Sequence, residues 1–316
     1  GLPDGGNIRL SLEPTNLKRF WITTASNKPY LEFIENWGTA QWTNMASAFY
    51  DCVNMQVSAT DVPDLSGVFN MVNMFSICSS LDSIPNAYLW NTENITNMSA
   101  VFNLATLFNG NIATWNTENV TNMGVMFGSA YNFNQNIGNW NTSNVTNMSG
   151  MFSAATTFNQ NIGNWNTEKV TDMNSMFSSA TSFNQNIGNW NTENVTNMTQ
   201  MFLGAISFNQ NLNWDTGNAI NMSYMFNNAS AFNGNMNAWN TNNVTNMFYM
   251  FRDASSFNQN IGTWNTGSVS NMGFMFYNAS SFNQNIGNWT LNSSVNMALM
   301  LNNSGLDCNN YSYTLL

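Results

Sequence analysis

One motif returns along almost the whole chain. Trp90, Trp115, Trp140, Trp165, Trp190, Trp214, Trp239, Trp264 and Trp289 stand 25 residues apart, once 24. An Asn-Met pair runs further, with its methionine at Met45, Met71, Met98, Met123, Met148, Met173, Met198, Met222, Met247, Met272 and Met297. Four residues after each comes a phenylalanine, from Phe49 to Phe276, replaced by Leu301 in the last copy. The consensus is FNQNIGNWNTENVTNMxxMFxxAxx, in about eleven copies. A unit this short cannot bury its own apolar side chains. Successive units must therefore stack as coils of a solenoid that share one continuous core.

The apolar pattern within a unit predicts its local structure. Met123, Met126, Phe127 and Ala130 follow an i, i+3, i+4, i+7 spacing, one face of a helix. Thr121 or Asn122 can cap it. Only about two turns fit, so the segment is a short helix or a 3₁₀ turn. Residues 136–140, Asn-Ile-Gly-Asn-Trp, carry β-favouring Ile137 and Trp140 between turn residues and predict a short strand, paired in parallel with its copies in neighbouring coils. The fold expected is an α/β solenoid, with coils about 4.8 Å apart and a stack about 50 Å long. A stack of helical hairpins is the alternative, but such repeats need roughly 33 residues or more.

Residues 44–301 form the repeat region. Residues 1–43 lack the consensus and read as an N-terminal cap or the end of a preceding domain, and residues 302–316 as a C-terminal cap. The coils between Trp37 and Trp90 are degenerate and hold Pro63 and Pro85, which points to irregular loops. The start has neither Met nor a signal-peptide pattern, and the end stops on an apolar run, so the chain reads as a processed form or a fragment.

Composition narrows function. Charged residues are 7%, His is absent, Lys plus Arg total 6, Asp plus Glu total 16 and the net charge is -10. Without His there is no His general base, no Ser-His-Asp triad and no His metal ligand. Six basic residues cannot track a phosphate backbone, so nucleic acid is not an expected partner, and an anionic membrane surface is disfavoured for the same reason. No stretch approaches 18 apolar residues, so no membrane-spanning helix is expected. Yet 43% of residues are hydrophobic, including 23 Phe, 22 Met and 12 Trp, enough to fill a sizeable core. The place of charge is taken by 64 asparagines.

Each column can be read for its role. The Met and Phe columns are core. The Trp column is a buried knob in every coil, or, if exposed, a ladder of rings for sugars. The Asn columns can hydrogen-bond along the axis and to turn backbones. Alternatively, Asn116, Asn141, Asn166 and Asn191 present amides to a ligand, because an amide both donates and accepts and so suits sugar hydroxyls. Glu93, Glu118, Glu168 and Glu193 share a column, which reads as solvated surface rather than a catalytic carboxylate pair. No Asp-rich calcium turn is present, and no cofactor or metal is expected. Cys52 and Cys78 occupy one column of adjacent coils, either within reach of a disulfide or as packed free thiols. N-x-[ST] matches at Asn119, Asn144, Asn194 and Asn243 follow from the repeat's own composition.

The repeat FNQNIGNWNTENVTNMxxMF resembles the BspA-type leucine-rich-repeat surface proteins, found as Mycoplasma surface lipoproteins and in large Bacteroidetes surface proteins. Residues 35–43, 48–52 and 56–66 are similar to the beginning of such a region in flavobacterial proteins. The resemblance implies a leucine-rich-repeat-like, right-handed coil stack at the cell surface or secreted, often adhesive, and in flavobacteria exported by the type 9 system. It carries no catalytic motif. Asp82-Ser83-Ile84 resembles the Bacteroidetes O-glycosylation motif, with Ser83 as the acceptor. The function expected is a non-enzymatic adhesion or binding module for an extended ligand, a polysaccharide or a surface protein. A structural stalk or filament subunit is the alternative. Binding along a neutral amide and hydroxyl face should depend little on salt.

Overall fold

A computed structural model describes residues 12–310. The outermost parts of both expected caps, residues 1–11 and 311–316, lie outside the described residues. The chain is a stack of coils, and neighbouring coils meet in parallel. Isolated parallel bridges join Asn70 to Asn97, Asn97 to Asn122, Asn122 to Asn147, Asn147 to Asp172, Asp172 to Asn197, and so on to Asn296. One two-residue pair is regular: β1 (Phe33–Ile34) lies parallel to β2 (Gln56–Val57). Short 3₁₀ turns occur at Pro14–Asn16, Ala25–Tyr30 and Ala87–Leu89.

The expected helix and strand of each unit are both absent between residues 44 and 301, apart from β2 and the last 3₁₀ turn. In place of the helix, residues 123–130 form linked turns. The N–H groups of Met126, Gly128 and Ala130 donate to the carbonyls of Met123, Val125 and Phe127, three residues back. The N–H groups between them, on Met123, Val125, Phe127 and Ser129, leave the coil and donate to Asn147, Ser149, Met151 and Ser153 of the next. Alternate donors thus serve the turn and the stack. This requires left-handed backbone at the two residues that reverse the chain, Val125 (φ 50°) and Ser129 (φ 55°), and the pattern recurs in the other coils. A helix would spend every donor within its own coil and leave none to join coils. The i, i+3, i+4, i+7 spacing comes from successive turns that place Met123, Met126, Phe127 and Ala130 inward.

Residues 136–140, expected as a strand, are also a turn. The Trp140 N–H donates to Ile137 O and the Gly138 N–H to Asn136 Oδ1, both at 3.1 Å. The parallel bridge falls instead on the Asn before Met, the residue expected as a helix cap.

The core is one cluster from Ile34 to Met300. The Met, Phe and Trp columns are buried throughout the central coils. Phe127 and Phe133 stack within a coil at 3.8 Å, and Phe127 meets Phe152 of the next coil at 5.7 Å. The Trp column is core as well: Trp165 is 4% exposed, lies 6.4 Å from Trp190, and donates its indole N–H to Ile137 O at 3.2 Å. That bond satisfies the one polar atom of the ring. The buried polar column is threonine, with each hydroxyl donating to the next coil, as Thr167 Oγ1 does to Asn191 O at 2.7 Å. At the N-terminal end Leu17, Phe20, Ile22 and Leu31 pack on the core, and Phe20 lies 5.5 Å from Phe49.

Candidate functional site

Turns replace helices and strands in this fold, and turns need side-chain acceptors. Asparagine supplies them in several columns. The Asn before Met accepts the N–H two residues on, as Asn122 Oδ1 does from Gly124 at 2.9 Å. The first Asn of FNQN links coils: Asn134 Oδ1 accepts from the Asn159 N–H and from Gln160 Nε2, both at 3.0 Å. The Asn of TENVT reaches back one coil, as Asn144 Nδ2 does to Glu118 O at 2.8 Å. Short polar side chains that bond their own turn backbone are favoured in turns for this reason.

The candidate face of Asn116, Asn141, Asn166 and Asn191 is exposed and in line from coil to coil. Each side-chain carbonyl is already engaged. Asn116 Oδ1 accepts from the Glu118 N–H at 3.0 Å, Asn141 from Ser143 at 3.1 Å, Asn166 from Glu168 at 2.9 Å and Asn191 from Glu193 at 3.0 Å. Half of each amide is therefore structural. Its NH₂ half faces solvent without a partner among the described residues. Beside this face, Asn194, Asn218 and Asn243 line an open groove with Thr196, Ile220 and Thr245 across three successive coils. Their Nδ2 groups are spent on backbone carbonyls of the preceding coil, so their Oδ1 atoms are the outward groups. Lys169, which takes the place of Asn in its own coil, shows what such an acceptor can hold: its Nζ donates to Asn144 Oδ1 at 2.7 Å.

Cys52 and Cys78 are both buried and stand unbridged in this structure. Cys78 Sγ donates to Phe49 O at 3.1 Å. Burial pushes the Cys52 thiol up to about 11, with Lys28 opposing and Asp51 adding to the rise, and burial raises Cys78 too. Ser83 is exposed, and its hydroxyl donates to Asp82 Oδ1 at 3.0 Å. The Glu column is exposed, and no cluster of metal-ligating side chains is present among the described residues.

One feature escapes a reading by consensus, because it sits in the consensus's variable positions. The second residue after the motif Met is Ala100, Val125, Gly150, Ser175 and Gln200 in successive coils and then aromatic in three consecutive ones, Tyr224, Tyr249 and Phe274. Tyr224 and Tyr249 lie 5.1 Å apart and 12° from parallel, Tyr249 and Phe274 4.8 Å and 18°. Phe248 meets Tyr249 edge-on at 4.1 Å. The Arg252 guanidinium lies 4.9 Å from the Tyr249 ring and 5.7 Å from the Tyr277 ring. All of these side chains are half-buried. The signal was present in the strings NMSYMFNN, NMFYMFRD and NMGFMFYN.

Comparison with known proteins locates the chain. A family profile described as "Mycoplasma protein of unknown function, DUF285" matches residues 20–137, 70–168, 135–216, 160–239 and 211–312. No curated protein matches the sequence. Among solved structures, one described as "Crystal structure of TLR13-ssRNA13 complex" is 12% identical over 92% of this chain with a TM-score of 0.25. The chain spans about half of that protein, 49%, and at this TM-score the likeness bears on neither fold nor ligand.

Proposed function

The chain belongs to the family of Mycoplasma proteins of unknown function, DUF285, as a tandem-repeat solenoid, and we propose that it is a non-enzymatic binding or adhesion module for an extended ligand, at the cell surface or secreted. The observation that carries this reading is the open groove over three coils, lined by Asn194, Thr196, Asn218, Ile220, Asn243 and Thr245, beside the exposed amides of Asn166 and Asn191. A surface whose polar groups recur once per coil suits a partner with a repeat of its own, such as a polysaccharide. It gains affinity from many weak contacts rather than from one pocket. Kinship to the BspA-type surface proteins, with type 9 export, belongs to the same proposal.

The test uses the column's own variation. Asp215 takes the place of Asn in one coil and still closes its turn, accepting from the Gly217 N–H at 2.8 Å. Replacing Asn116, Asn141, Asn166 and Asn191 by Asp therefore keeps the turns and removes four NH₂ donors. Retention in polysaccharide-containing native gels should be nearly independent of salt in the parent protein and reduced in this variant. Absence of retention on every neutral and acidic polysaccharide, and of attachment to protein-coated surfaces, would favour the second reading, a rigid spacer. The hydrogen-bonded ladder that links each coil to the next supports that alternative. Protease shaving of intact cells tests the location.

A further inference from the structure

We infer that the aromatic cluster of coils 222–278 is a discrete glycan-stacking subsite, the place where an extended ligand is gripped. The inference rests on the binding reading above and adds to it a location and a chemistry.

Tyr224, Tyr249 and Phe274 sit at φ 59°, 59° and 56°, the left-handed position of every coil, which elsewhere holds Ala100, Val125, Gly150, Ser175 or Leu299, so the turn itself does not require an aromatic ring there. Asn227, 5% exposed, has a carbonyl oxygen with no partner. Arg252 Nε lies 3.1 Å from Asp253 Oδ2 yet is not aligned for a hydrogen bond. Three half-buried rings in consecutive coils, at a position filled by Ala100, Val125, Gly150 or Ser175 elsewhere in the stack, with a guanidinium beside them, form a surface cluster that the core does not require.

The geometry suits a pyranose chain. Ring centroids 4.8–5.1 Å apart exceed the contact distance of stacked carbon atoms, so near-parallel rings at this spacing are slid past one another like tiles, leaving part of each face uncovered. Phe248 stands across the tiles, and Gly273 in the next coil makes room for it: a Cβ there would lie 3.2 Å from the Phe248 ring. Arg252 is fixed between Tyr249 and Tyr277, and Asp253 beside it is held by Asn278 Nδ2 at 2.7 Å. The terminal guanidinium N–H groups are thus preorganised donors next to an apolar platform. A sugar ring offers a C–H face for the tiles and oxygen acceptors for the guanidinium. Those acceptors can be hydroxyls or a uronate carboxylate.

The experiment compares neutral and uronate-bearing oligosaccharides (cello-, xylo-, manno- and galacturono-oligomers) by calorimetry against the parent protein and three variants. Tyr249→Ala is tolerable to the fold because Ala100 occupies the equivalent position at φ 54°. Arg252→Ser is likewise safe, since Ser153 and Ser178 stand there in other coils. The third variant is the fourfold Asn→Asp protein. The parent should bind at least one oligomer class, and Tyr249→Ala should weaken it by about tenfold or more with thermal stability retained. Arg252→Ser should weaken acidic oligomers more than neutral ones if the acceptor is a carboxylate, and both alike if it is a hydroxyl. Binding that survives Tyr249→Ala and Arg252→Ser but falls in the fourfold variant would overturn the subsite and leave the broad-face reading standing. No binding of any oligomer by the parent would overturn the subsite, whereas attachment to long polymers in the gel assay would still preserve the wider proposal. A patch whose substitution abolishes attachment to protein-coated surfaces, with glycans inert, would assign it to a protein partner instead.

Discussion

Thr167 illustrates how much a single side chain carries here. It is 1% exposed, and its hydroxyl supplies Asn191 O with a donor from the previous coil. Thr167→Val keeps the shape and leaves that carbonyl unpaired, so it should lower stability by about 1–2 kcal/mol in urea titration. Val125 works in the opposite direction. A β-branched residue at φ 50° bears a backbone penalty that Asn does not. Val125→Asn should therefore raise stability by about 1 kcal/mol. The two buried thiols give a pH signature. Cys52 ionises near 9 when unfolded and at about 11 in the fold. Between those values the native state holds more protons than the unfolded one, so stability is complete below pH 9 and falls as pH rises through 11. Replacing Cys52 and Cys78 by Ala should flatten that part of the profile, and an unchanged slope would show that other groups cause it.

At the scale of one coil, the decisive features are the indole and the glycine beside it. Trp165 fills its coil, touches Phe152 and Trp190 and satisfies Ile137 O. Trp165→Ala should cost about 3–5 kcal/mol. A variant of parental stability that lost binding would show instead that the Trp ladder meets the ligand. Although Ala113 and Asn237 stand at the equivalent position of other coils, Gly163 lies close against the next coil. A Cβ there would lie 2.5 Å from Asn186 O, a backbone atom with no flexible end to move aside. Gly163→Ala should force the two coils apart locally and destabilise by about 1–3 kcal/mol.

At the scale of the whole molecule, the ladder of donors from coil to coil makes the repeat region resistant to local opening. Between Lys28 and the C-terminus the tryptic sites are Lys169 and Arg252 alone. Both lie within stacked turns, where Val170 donates to Thr167 O and Asn228 to Arg252 O. Native protein should survive trypsin under conditions that digest the urea-unfolded chain, since cleavage requires opening. Rapid cutting at either site would contradict a tightly joined stack. Far-ultraviolet circular dichroism should lack the helical double minimum, a result that separates the turn-built coil from a helix-bearing one.

The amino-acid sequence by itself determined that the chain is a repeat solenoid with the Met and Phe columns inside, and it left the Trp and Asn columns each with a structural and a ligand-facing reading. A 25-residue period with Met123 and Phe127 in fixed places requires coils that stack to bury them. It could not reveal what the backbone does inside a coil. Residues 123–130 show a helical spacing, yet the choice between helix and linked turns depends on where alternate N–H groups find acceptors, and the acceptors at Asn147, Ser149 and Met151 belong to another coil. Nor could periodicity expose the aromatic subsite. Tyr224, Tyr249 and Phe274 occupy positions that a consensus discards as variable, and only stacking of three coils brings their rings and Arg252 together. The repeat is a property of spacing along the chain, whereas hydrogen-bond partners and surface clusters are properties of neighbours 24 or 25 residues away, which exist only once the coils are stacked.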